Sequence, residues 1–251
     1  MLTSQRKNAI LAALKRDGQV LAKQLSESFE VSEDTIRRDL RELAGEGLLQ
    51  RVHGGALPAS PATVDFAHRR PIESSTKRAV GAAAAGMIAD GQVVIVDGGT
   101  TAIELVRQLR RDLTATVVTH SPNVAVELVD YPNIEVIILG GRLFKHSIVT
   151  VGAAAMEALA PIRADLYFMG VTGVHATAGL STGDLEEAYM KRALAAHAAE
   201  TVVLASADKI NAASRYRIGE LTLASTMIVD RSTDPALLES LAVSGVTILR
   251  A

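Results

Sequence analysis

The sequence predicts an α/β protein in two parts: a small helical unit closed by a β-hairpin, then a larger, mostly parallel sheet flanked by helices. Three observations point there. The first 46 residues hold three short stretches with apolar residues at helical spacing. Residues 48–57 read as two short strands around a glycine pair. From residue 93 onward, short apolar runs alternate with amphipathic stretches of about ten residues.

In the first helix, over residues 6–14, Ile10, Leu11 and Leu14 recur at helical spacing, with Ser4 as N-cap and Gly18 as terminator. Residues 20–29 repeat the spacing through Leu21, Leu25 and Phe29, and after a break at Glu30 and Val31 a third helix opens at Ser32. Residues 48–53 read as a strand, Gly54-Gly55 as a tight turn, and Ala56-Leu57 as the start of the return strand. Helix, helix, helix, hairpin is the order of a winged helix, here residues 1–57. Residues 58–75 carry Pro58, Pro61 and Pro71 without sustained periodicity and read as a linker to a second domain at 76–251. The apolar runs of that domain are 93–96, 116–119, 136–139, 166–169, 201–204, 227–229 and 246–249. Runs without polar alternation suit strands covered on both faces. Ligands in such sheets bind at the carboxyl ends of the strands.

Composition excludes several classes. The longest alanine-rich apolar stretch, residues 79–89, is broken by Gly81 and Gly86 and falls short of the roughly 18 residues a membrane span needs. The opening MLTSQRKNAI lacks the apolar core of a signal peptide, and the chain has no cysteine, so a cytoplasmic protein without membrane attachment is expected. A net charge of −2 gives no global pull toward nucleic acid, so a DNA-binding reading must rest on where the charges sit.

They sit favourably in VSEDTIRRDLRELAGEG, residues 31–47. Ser32 stands where an N-cap belongs, and Glu33 and Asp34 complement the helix dipole. Ile36, Leu40 and Leu43 share one stripe, which leaves Thr35, Arg37, Arg38 and Arg41 on or near the opposite surface, where a recognition helix meets base edges and phosphates. An isolated arginine pair reads more plainly as a solvated face with ion pairs such as Arg38–Glu42. Place decides against that: the stretch is the third helix of a trio, followed by a hairpin that carries Arg51 and His53. The run VSEDTIRRDLRELAGEGLLQRVHGGA, residues 31–56, resembles the signature of the DeoR family of bacterial transcription regulators. The resemblance implies a sequence-specific regulator, by the family's commoner habit a repressor in carbohydrate catabolism, that reads double-stranded operator DNA and is relieved by a small phosphorylated sugar or a related metabolite. A homo-oligomer, dimer or tetramer, would set recognition helices on repeated half-sites.

The strand at 93–96 leads into Asp97-Gly98-Gly99-Thr100-Thr101 and then a helix, a turn whose amides and hydroxyls can cradle an anion. Taken alone such a turn is more often just a tight loop with a threonine cap. Other strand ends add His120 and Asn123, Gly140-Gly141-Arg142, Gly170 with Gly173, and Ser206-Ala207-Asp208-Lys209. The family resemblance assigns Asp97, Gly99, Thr100, Thr101 and Lys209 to the effector pocket; His120, Asn123 and Gly141 join them at neighbouring strand ends. The family usually has asparagine at the place of His120 and an Asp-x-Ser-Lys run where 206–209 stand. Glu187 and Lys191, four apart on a helix, fit either a second pocket cluster or an exposed pair worth a few tenths of a kcal/mol. His120 as a general base would need a nucleophile and an orienting partner at a recognised spacing, and none is visible. The histidine spacing suggests no metal, and no cofactor is expected.

The second domain also resembles ribose-5-phosphate isomerase, which uses a similar turn and a lysine. That enzyme's acidic Asp-Gly-Ala-Asp-Glu stretch falls here on Met169-Gly170-Val171-Thr172-Gly173. The carboxylates are gone, so binding without catalysis is expected.

Overall fold

The computed structural model describes residues 2–60, 74–242 and 245–251. Helix α1 (Thr3–Asp17) ends at Gly18, whose φ of +72° lets its N–H reach the Leu14 carbonyl at 3.0 Å. Its N-cap is Leu2, not the expected Ser4, which lies inside the first turn. The expected helix at 20–29 also starts later. Val20–Leu21 form a short strand, β1, and helix α2 is Ala22–Phe29. Val20 and Leu21 pair with Ala56 and Gly55, and the Ala22 N–H donates to the Gly54 carbonyl at 2.8 Å, so pairing with the wing overrides the helical spacing. Helix α3 is Glu33–Gly45, and the wing is β2 (Leu49–Val52) with β3 (Gly55–Pro58). Val52 pairs with Gly55, which makes His53-Gly54 the turn, one residue earlier than the sequence suggested. Gly55 sits where a Cβ would overlap the Val20 carbonyl, so close contact with β1 requires glycine there.

Ile10, Leu25, Ile36, Leu40, Leu43 and Leu49 form the core of this unit. The sequence reading missed one buried feature. Arg6 of α1 donates to both carboxylate oxygens of Asp39 on α3, at 2.5 and 3.1 Å.

In the second domain every expected apolar run becomes a strand. Their order across the sheet is β15 (Thr247–Arg250), β14 (Thr226–Val229), β12 (Ala198–Ala205), β9 (Ala164–Gly170), β4 (Val93–Val96), β5 (Ala115–Thr119), β6 (Ile134–Ile138), all parallel. Successive residues feed opposite faces. Val94, Val96 and Phe168 pack under α4 (Ser74–Ala85), α5 (Thr100–Arg107) and α6 (Pro122–Glu127). Ile95, Tyr167 and Met169 pack under α7 (Ala153–Leu159), α8 (Leu185–Ala196) and α9 (Pro235–Ala242). At the carboxyl end of the sheet stand two small antiparallel additions: a hairpin of β7 (Arg142–Phe144) and β8 (Val149–Val151), and a sheet of β10 (Gly173–His175), β11 (Gly179–Thr182) and β13 (Tyr216–Gly219).

Of the expected linker at 58–75, residues 61–73 lie outside the described residues. Its start is anchored. The Pro58 carbonyl accepts the Ala213 N–H at 3.0 Å, the Ser60 N–H donates to the Ala213 carbonyl at 3.2 Å, and the Ser60 hydroxyl donates to the Thr172 carbonyl. Gly18 packs against the Asn211 side chain, where a Cβ would not fit. His175 faces the same corner: burial pushes its pKa down, partly offset by a hydrogen bond with the Gly18 backbone.

Candidate DNA-reading face and sensor site

On α3 the expected division of faces is present. Ile36, Leu40 and Leu43 are buried, Arg37, Arg38 and Arg41 are exposed, and Thr35 is half-buried. Ser32 caps the helix: its Oγ accepts the Thr35 N–H at 3.3 Å and bonds the Thr35 hydroxyl at 2.9 Å. Arg37 leans back onto Glu33, at 2.8 Å. The pairing of Arg38 with Glu42 does not form, because Glu42 holds Lys7 of α1 at 2.9 Å. Arg38 and Arg41 have no ion pair among the described residues. Arg51 and His53 are exposed on the wing.

In the sensor, the carboxyl ends of adjacent strands carry the residues singled out above. From β12 across to β6 they are Lys209 on the turn after β12, Asp97 to Thr101 after β4, His120 and Asn123 after β5, and Gly141 after β6. Gly99, φ +112°, caps α5, so the helix N-terminus begins at Thr100. Thr101 Oγ1 and, after β12, Ser206 Oγ are buried and have no hydrogen-bond partner among the described residues.

Asp97 holds a charge cluster. It is fully buried; Oδ1 accepts from the Gly98 N–H at 2.7 Å and from His120 Nε2 at 2.6 Å. Oδ2 accepts from Lys191 Nζ at 2.5 Å, the Gly170 N–H at 2.8 Å and the Tyr167 hydroxyl at 3.2 Å. Burial opposes the carboxylate's charge, yet Lys191 and His120 outweigh it and hold the group well below the usual carboxylate range. Burial and the nearby Asp97 push the Tyr167 hydroxyl up, so it stays a protonated donor. His120 Nδ1 stands 2.9 Å from the Thr150 carbonyl. Both ring nitrogens therefore stand within hydrogen-bond distance of an oxygen.

This arrangement changes the part expected of three residues. Asp97 does not present a free carboxylate to a ligand; all its bonding capacity is turned inward. Glu187 and Lys191 are not an exposed pair: both are buried, Lys191 joins Asp97, and Glu187 accepts the Thr182 hydroxyl at 3.0 Å. Glu187 also lines a cleft of about 430 Å³ that the winged helix closes with Leu49 and Gln50, opposite Thr172 and Ser214. Clefts of this size at domain contacts are the usual place for small ligands.

Residues 6–62 match the model of the DeoR-like helix-turn-helix domain, and residues 72–231 match that of the DeoR C terminal sensor domain. The chain is a DeoR-family transcriptional regulator. It is 33% identical to the HTH-type transcriptional regulator GlpR of Haloferax volcanii, over 99% of this chain and 98% of that protein. It is 29% identical to the glycerol-3-phosphate regulon repressor of Escherichia coli K12, over 92% of each. Among solved structures, ribose 5-phosphate isomerase A of Methanocaldococcus jannaschii aligns with a TM-score of 0.41 and 21% identity over 54% of each chain. Membership of the family makes this regulator a DNA-binding protein rather than an isomerase. Among its described residues no helix is long and apolar enough to cross a membrane.

Tyr167, Gly170 and Thr150 complete the regulator's charge cluster; the sequence reading named Gly170 as a strand-end glycine and passed over Tyr167 and Thr150. Tyr167 and Gly170 lie in or beside an apolar run whose residues alternate between faces. A tyrosine inside such a run was the available signal, since a buried phenol needs a hydrogen-bond partner.

Proposed function

We propose that this regulator represses a carbohydrate-catabolic operon as a homo-oligomer and is released from its operator by a phosphorylated sugar. Residues 1–57 act as the reader and residues 76–251 as the sensor. The observation that supports the sensor reading is that two buried hydroxyls at the carboxyl end of the sheet, Thr101 Oγ1 in the first turn of α5 and Ser206 Oγ after β12, have no hydrogen-bond partner among the described residues. Unpaired buried hydroxyls are costly, and phosphate oxygens accept from such donors and from helix N-termini. Gly99, Thr100, Asn123, Gly141 and Lys209 follow the carboxyl ends of β4, β5, β6 and β12 on the same side of the sheet. In this reading Asp97, His120 and Lys191 shape the floor, and Glu187 faces the sugar from the cleft. The repressor named for the glycerol-3-phosphate regulon among the relatives supports a phosphorylated ligand.

A short covalent path supports switching. The Gly170 amide is held by Asp97, and two residues on, the Thr172 carbonyl holds Ser60 just beyond the wing. A ligand that binds more tightly when this path is displaced shifts the reader's placement by that difference in affinity.

The reader is tested by substitution. Arg38→Ala is expected to cost about 1 to 3 kcal/mol at the operator and little on unrelated DNA, because a base contact is lost. Arg51→Ala is expected to weaken all duplexes alike. Binding titrations with the DNA upstream of the chain's own gene measure both, and an Arg38→Ala protein that discriminates as well as wild type removes α3 from the recognition role.

A further inference from the structure

Where the wing meets the sensor, Arg51 of β2 and Arg215 and Arg217, the latter in β13, line one open cleft of about 240 Å³. All three side chains are exposed. Arg217 is paired with Glu220, while the side chains of Arg51 and Arg215 have no ion pair among the described residues. Guanidiniums gathered around one concavity repel each other in the free protein and concentrate positive field in front of it. An anion with several oxygens relieves the repulsion, and the planar guanidinium fits phosphate best.

We propose that Arg215 of the sensor domain binds an operator phosphate beside the one held by Arg51, so that the sensor itself touches DNA. This inference rests on the reading of the winged helix as the operator binder. The phosphodiester backbone is favoured over a free phosphorylated metabolite because the cleft is open, all three arginines are exposed, and it continues directly from the wing. The position has a consequence for switching. Arg215 follows Ser214, whose hydroxyl accepts from Thr172 Oγ1 at 2.7 Å, and lies two residues from Ala213, to which Ser60 is pinned. Displacing the loop at Thr172 therefore moves a phosphate contact along with the reader.

The test uses the full-length protein, the duplex upstream of its own gene and a scrambled duplex of equal length, titrated between 50 and 200 mM salt. Arg215→Ala is expected to weaken both duplexes by the same factor. It should also lower the slope of log affinity against log salt by about 0.9, so the fall in affinity across that range shrinks about 3.5-fold. Arg215→Lys should restore most of the slope. The proposal is overturned if wild type discriminates the two duplexes while Arg215→Ala leaves slope and affinity unchanged. It is overturned equally if the only loss is a melting shift produced by inorganic phosphate or glycerol 3-phosphate, which would assign the cleft to a free anion. If wild type binds neither duplex, the operator reading and this inference fall together; if Arg38→Ala alone loses discrimination while Arg215→Ala binds as wild type, only the sensor contact falls.

Discussion

An Asp97→Ala protein is expected to melt roughly 6 to 20 °C below wild type in its sensor domain. The carboxylate is the shared acceptor for Lys191 and His120, both almost fully buried. Removing one partner of a buried ionic cluster leaves the others without compensation, at about 3 to 5 kcal/mol. For a domain of this size each kcal/mol moves the midpoint by about 2 to 4 °C. Asp97→Asn should lose much of the same stability while filling the same volume, which separates charge from packing. Acid behaviour gives a second reading of the same bond. The folded carboxyl titrates well below its unfolded counterpart, near pH 3.9. The stabilisation is therefore fully present above that pH and is lost as pH falls further. Asp97→Asn should flatten that acid limb. A melting point within about 2 °C of wild type for Asp97→Ala would mean that the cluster does not hold the sheet edge together.

The second large effect lies in the reader. Asp39→Ala should abolish operator binding while the sensor keeps its melting transition. Asp39 faces the core side of α3 and takes the Arg6 guanidinium of α1 in a two-pronged bond. Without it a cation is stranded between two helices of a unit under 60 residues. The cost is about 3 kcal/mol, the low end for breaking a buried pair. Small domains have little stability to lose. The paired replacement Arg6→Met with Asp39→Leu should restore folding, since apolar residues of similar volume can replace such a pair without loss. Operator binding by Asp39→Ala at wild-type strength would show that α3 is oriented by its apolar stripe alone.

The inner strands of the large sheet, β4, β5, β9, β12 and β14, were legible in the sequence because their central residues are covered on both faces and form apolar runs, whereas the short antiparallel strands β7, β8, β10, β11 and β13 carry no such run and were not seen. Helix α3 was legible because Ser32, the acidic first turn and the Ile36–Leu40–Leu43 stripe all specify the same start and the same buried face. What failed depended on partners far along the chain. Val20 and Leu21 carry a helical spacing with Leu25, but their hydrogen bonds go to Ala56 and Gly55. The four-residue spacing of Glu187 and Lys191 suggested a pair; the helix turns both into the protein, toward Thr182 and Asp97. Asp97 itself was found by its position at a strand end, yet its role depends on Lys191, 94 residues later. Arg6 and Asp39, 33 residues apart, are each an ordinary surface charge until the helices cross.

The central claim is that phosphorylated sugars act at the sheet edge to release the reader from DNA, and competition at the operator tests it most directly. With full-length protein bound to the duplex upstream of its own gene, a panel of sugar and glycerol phosphates is added beside the matching free sugars and glycerol. At least one phosphorylated compound should release the duplex at concentrations where its dephosphorylated partner does nothing. Thr101→Val, which removes one buried hydroxyl and keeps the side chain's shape, should blunt that release while leaving ligand-free DNA binding intact. Release by the free compounds as readily as by their phosphates, or a full response in Thr101→Val, would contradict the account.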